Sequence, residues 1–119
     1  MSGVLEILWL LGLLARAVAA DQALGQNEVV IVATAYQDAL TALKSLGSLE
    51  GKVVIDITNP LTADYMGLTI GHSTSAAEEI AKALPGVELV KGFNTLFAQV
   101  LASGPTFANE QQGSVFLAS

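Results

Sequence analysis

The sequence predicts an α/β domain built on a parallel sheet, with about four strands side by side in chain order and helices on both faces, three layers in all. Three observations predict it. Short, uninterrupted β-branched runs recur along the chain, helical spacing separates them, and 52% of the residues are hydrophobic while only 13% are charged. Typical soluble domains carry about 25% charged residues. A parallel sheet buried on both faces needs near-continuous apolar strands, which accounts for the bias. At 119 residues the chain suffices for one domain with a real core and not for two.

Val29 to Ala33 reads as the first buried strand. Tyr36 to Leu46 follows with Tyr36, Ala39, Leu40, Leu43 and Leu46 at helical spacing, and Gly47 stands where a C-terminal cap belongs. Val53 to Ile57 is the second strand. Thr58 to Ser73 is a long loop holding Asn59-Pro60, Gly67 and Gly71; loops of this length are usually functional or disordered. Ser75, with Glu78 three residues on, predicts a helix opened by a capping box, and Pro85-Gly86 ends it. Glu88 to Phe93 is the third strand, Thr95 to Ala102 a short helix, and Ser114 to Ala118 the fourth strand.

Residues 1–25 read as an apolar N-terminal helical segment, separate from the domain at 26–119. Ile7 to Leu11 and Leu13 to Ala15 are apolar, broken by Gly12 and bounded by Glu6 and Arg16. A membrane-spanning helix needs about 20 apolar residues, so this run is too short. A secretory signal would carry basic residues before the apolar run, where Glu6 stands, although Ala17-Val18-Ala19 mimics a cleavage site. A helix here is apolar nearly all round, Trp9 included, and must be buried or partnered. From Arg16 to Gln26 an amphipathic helix leading into the first strand is expected.

The net charge is −6 and no run of Lys or Arg occurs, which excludes a nucleic-acid footprint. The absence of cysteine removes disulfides, thiolate metal sites and cysteine nucleophiles together, and a single histidine leaves little for zinc. A cytoplasmic protein without a resident metal is expected.

Ligands of open parallel sheets bind beyond the carboxyl ends of the strands. That singles out Thr34, Ala35 and Tyr36, then Thr58, Asn59, Pro60 and Leu61, then Asn94, Thr95 and Leu96. The competing reading makes Thr34 and Thr58 helix or turn caps and Asn59-Pro60 a plain turn. His72, in the long loop, is a candidate for substrate contact against a solvated, structural role. Asp56, inside a β-branched strand, fits a backbone or helix-terminus hydrogen bond better than catalysis. Glu78 and Glu79 answer the helix dipole. No catalytic side chain is assigned.

Four stretches carry a resemblance: Lys52 to Leu61 (KVVIDITNPL), Ser75 to Glu78 (SAAE), Val90 to Thr95 (VKGFNT) and Ala33 to Gln37 (ATAYQ). Taken in order, they resemble the NADPH-dependent reductases of the deazaflavin coenzyme F-420, and are similar to the oxidoreductase domains of six-transmembrane ferric reductases. The resemblance covers about Gln26 to Ser119. It implies a partial Rossmann-like fold, NADP(H) as cofactor, and F-420 or a flavin as second substrate. The residues after the first two strands would line the dinucleotide, and Asn94, Thr95 and Leu96 would lie by the nicotinamide and the second ring system. The family pattern often has Pro where Ala35 stands. The phosphate-gripping G-x-G-x-x-G is absent, since Gly3, Gly12 and Gly25 have the wrong spacing and follow no strand. A truncated family copy is therefore expected, with residues 1 to about 15 outside the family pattern. Two functions stand open: an NADP-dependent oxidoreductase, or a non-catalytic α/β fragment that binds a partner chain. The free edge of the first strand predicts a homo-oligomer, with no nucleic-acid or membrane partner.

Overall fold

The computed structural model describes residues 17–104, 106, 107 and 109–119. The apolar N-terminal helix expected before residue 17 lies outside the described residues. The elements are α1 (Ala20–Ala23), β1 (Val29–Val32), α2 (Tyr36–Ser45), β2 (Val53–Asp56), α3 (Ala76–Ala83), β3 (Glu88–Gly92), α4 (Ala98–Ser103) and β4 (Leu117–Ala118). The chain is α/β with a four-stranded sheet in the order β1-β2-β3-β4, as expected. The amphipathic helix expected from Arg16 shrinks to the four residues of α1, and α4 begins at Ala98 rather than Thr95.

β1, β2 and β3 are parallel, in a register that places Val30, Val54 and Leu89 in one row and Val32, Asp56 and Lys91 in the next along the same face. Both rows face the helices. Val32, Ala39, Leu43, Leu49, Val54 and Ile80 form the core between them. α2 packs on β1 and α3 on β3, and the two helices touch each other, so they share one face of the sheet. Among the described residues no helix packs on the other face, where Val29 is 50% and Ile31 59% exposed. The helix packing seen among the described residues is thus that of α2 and α3 on one face. Strands joined in sequential order by crossovers of one hand carry their helices on one side.

β4 also departs from expectation: it runs antiparallel to β3, pairing Leu117 with Gly92 and Ala118 with Lys91. A parallel strand needs a connection that carries the chain back along the sheet. α4, six residues long, rises only about 9 Å. The chain then reverses through the Thr106–Gln112 bridge and enters β4 from the carboxyl end. Gly92 permits the approach, because a Cβ there would stand 2.5 Å from Leu117 Cδ2.

The local signals hold where they are strongest. Gly47, at φ 95°, follows α2 in the left-handed region that L side chains avoid. Ser75 caps α3: its hydroxyl accepts from the Glu78 N–H at 3.2 Å, and the Ser75 N–H donates to Glu78 Oε2 at 2.6 Å. No described helix is long and apolar enough to cross a membrane.

Candidate functional site

The carboxyl ends of β1, β2 and β3 lie side by side, and the chain leaves each with a polar residue. Because Val32 pairs with Asp56, Thr34 and Thr58 stand at matching levels two residues beyond. Thr34 is exposed and donates to the Ala35 carbonyl at 3.1 Å. Ala35 is the N-cap of α2 and gives that helix no side-chain cap. Tyr36 turns inward and packs against the core.

At the end of β2, Asp56 is fully buried. Its Oδ1 accepts from the Thr58 N–H at 2.9 Å, the backbone role expected for it. Its Oδ2 lies 2.9 Å from Lys91 Nζ. The Lys91 side chain, 20% exposed, also donates to the Thr58 carbonyl. The ammonium thus holds both the carboxylate and the Thr58 carbonyl. Lys91 was not singled out in the sequence, although a lone lysine among the apolar residues of a strand is a signal that could have found it. Thr58 itself is buried, and its Oγ1 has no hydrogen-bond partner.

Beyond Thr58 the chain surfaces at Asn59. Asn59 Nδ2 donates to the Asn94 carbonyl at 3.0 Å, and Asn94 Nδ2 donates to Asn59 Oδ1 at 3.2 Å. Two expected site residues from different strands are thereby joined. Phe93, at φ 59°, makes the turn that brings Asn94 there. A left-handed bulky residue is a true outlier, and such strain collects at functional sites.

Pro60 and Leu61 enter the long loop, which has structure of its own. Leu61 bridges Leu68, the Thr69 N–H donates to the Pro60 carbonyl at 2.7 Å, and the Thr62 N–H to the Gly67 carbonyl at 2.9 Å. Asp64 braces the tip by accepting from the Thr62 hydroxyl and the Met66 N–H, and these bonds hold its carboxyl below the usual range. Thr95 is exposed, whereas Leu96 lines a small cleft beside α4. His72 is exposed and does not line the larger cleft described next.

That cleft, of about 710 Å³, lies between the loop, the start of α3 and β3; Asn59, Asn94 and Lys91 supply polar groups to its lining, and Leu68, Ile70 and Leu89 apolar walls. Such a mixture suits a ring system held by a few placed polar groups. Among the described residues no group of three or more His, Asp or Glu side chains could hold a metal ion.

A sequence model of the family described as NADP oxidoreductase, coenzyme F420-dependent, matches residues 5–60. Over that segment, a little under half of its length, the chain is similar to this family. The match begins at residue 5, inside the N-terminal stretch expected to fall outside the pattern. The rat metalloreductase STEAP3 is 32% identical over 99 residues, 82% of this chain and 19% of its own length. The mouse metalloreductase STEAP2 is 32% identical over 92 residues, 76% of this chain and 17% of its own. Among solved structures, a candidate F420-dependent NADP reductase from Arthrobacter sp. FB24 superposes with TM-score 0.72 at 33% identity, over 86% of this chain and 48% of that one. A hypothetical protein from Sinorhizobium meliloti superposes with TM-score 0.78 at 26% identity, over 98% of this chain and 56% of that one. The chain thus spans about a fifth of the length of the two metalloreductases and about half of the two solved structures. These likenesses bear out the Rossmann-like reading of the fold.

Proposed function

We propose that these strand ends are the nicotinamide-facing part of an NADP-dependent oxidoreductase, which passes a hydride between NADP(H) and a deazaflavin or flavin-type acceptor. The observation that carries this reading is the Asn59–Asn94 pair, set beside Thr34 at the carboxyl ends of three adjacent strands in a chain similar to the NADP oxidoreductase family. Amide and hydroxyl groups of this kind fit the carboxamide and ribose of the nicotinamide half. The phosphate half finds less. Lys44 and Lys82 end α2 and α3, and Lys52 precedes β2, so all three stand at the opposite end of the sheet.

A nicotinamide held there would donate or accept the hydride, and that chemistry would belong to the cofactors. The side chains hold and orient: Asn59, Asn94 and Thr34 fix the ring edge, and the apolar lining of the cleft excludes water. No general acid or base is needed, consistent with the structural role of Asp56. Ala35, Tyr36, Pro60, Leu61, Thr95 and Leu96 shape the surrounding wall, and His72 is a contact for the second substrate. We place the reaction in the cytoplasm.

NADPH fluorescence titration tests the reading, followed by NADPH oxidation with F-420 or a flavin. Binding is expected to be weak, because gripping the pyrophosphate supplies much of dinucleotide affinity. No saturation up to millimolar NADPH would sink this reading. It would favour a non-catalytic module that completes its sheet with another chain, to which the open face at Val29 and Ile31 points.

A further inference from the structure

We propose that Lys91 is a positioning residue, whose ammonium, acting through Asp56 and Thr58, sets the Asn59–Asn94 pair. A buried ion pair does not by itself repay its desolvation. Stability alone is therefore a poor account of a fully buried Asp56 joined to Lys91 in the otherwise apolar interior of the sheet. What distinguishes this pair is that its remaining hydrogen bonds converge on one residue, Thr58, and hold the peptide on either side of it. Asp56 Oδ1 accepts from the Thr58 N–H, and Lys91 Nζ donates to the Thr58 carbonyl. Thr58 is the last buried residue before the chain surfaces, so holding both its backbone groups sets the direction in which Asn59 leaves β2.

The same lysine belongs to β3, three residues before Asn94. One side chain therefore ties the exit of β2 to the strand whose own exit carries the other asparagine. The two strand ends are joined at two levels, internally by Asp56–Lys91 and at the surface by the reciprocal Asn59–Asn94 hydrogen bonds. Lys91 and both asparagines also line the same cleft. The importance of that pair for a cofactor rests on the function proposed above; its positioning by Lys91 does not.

The test is ¹⁵N NMR of the full chain, following the side-chain amide signals of Asn59 and Asn94 in wild type, Lys91→Met and Lys91→Arg. In Lys91→Met both signals are expected to move toward free-amide positions and to exchange faster with water; Lys91→Arg restores them. Should Lys91→Met fail to fold, the double variant Asp56→Asn/Lys91→Met removes both charges and is read in the same way. Asparagine signals unchanged in a folded variant that lacks the lysine would overturn the proposal. An NADPH titration runs in parallel, with affinity falling about tenfold in the methionine variant and recovering in the arginine variant. Wild-type chain that binds no NADPH defeats the proposed function, while the amide signals still decide the role of Lys91.

Discussion

Lys91 Nζ and Asp56 Oδ2 lie 2.9 Å apart, at register-matched positions of β3 and β2 on the helix-covered face of the sheet. Removing one partner of a buried pair costs about 3–5 kcal/mol, because the other charge is left uncompensated. Lys91→Met is therefore expected to lose stability by about that amount. Asp56→Asn/Lys91→Met is expected to recover much of it, since the asparagine stays neutral and still accepts from the Thr58 N–H. Urea denaturation of the single and double variants measures the difference; a double variant no more stable than Lys91→Met would contradict it.

Leu43 is buried on the inner face of α2, within the core against Val54 and Ile80. Leu43→Ala is expected to destabilise by about 2–5 kcal/mol through lost transfer energy and the cavity left behind. The denaturation midpoint should fall with an unchanged slope. A loss below about 1 kcal/mol would mean that the core is less tightly filled than the burial implies.

The capping box of α3 makes a pH prediction. The Ser75 N–H, and then its hydroxyl, hold the Glu78 carboxyl below its ordinary value of 4.5. A group with a lowered folded-state value stabilises fully above the unfolded value and loses that contribution as pH falls through the folded one. Wild type should thus lose part of its stability below pH 4.5, and Glu78→Gln should lose less over the same range. Ser75→Ala is expected to cost about 1 kcal/mol at neutral pH. Parallel acid-denaturation curves for wild type and Glu78→Gln would count against the box.

Among the described residues β1 is an edge of the sheet, with four β-branched apolar residues and no internal charge or proline. Edges of this kind pair with other chains unless they are blunted. We expect concentration-dependent self-association through β1, reduced by Ile31→Lys. Sedimentation velocity over a range of concentrations checks it. A wild-type monomer at high concentration would remove the edge from consideration.

Much of this was legible in the residues. The β-branched runs at Val29 and Val53, the spacing of Ala39, Leu40 and Leu43, and the Ser75–Glu78 pair each encode a local event, and each element formed where its signal lay. The strand-end rule likewise reached Thr34, Asn59 and Asn94, because the carboxyl end of a parallel strand is defined by chain direction alone. Lys91 was missed because its meaning depends on register: until Asp56 and Lys91 are known to be neighbours, one is an odd acid and the other an odd base. The left-handed turn at Phe93 has no sequence signature, since bulky residues rarely adopt it.

The sequence by itself determined the alternation of strands and helices, the caps that start and stop the helices, and the polar residues at the strand exits, because these follow from propensity, spacing and chain direction. The tertiary structure alone decided that β4 runs antiparallel, that α2 and α3 share one face, and that Asn59 meets Asn94. Those outcomes depend on where residues distant in the chain come to lie. Local physical chemistry cannot specify that until the strands are in register.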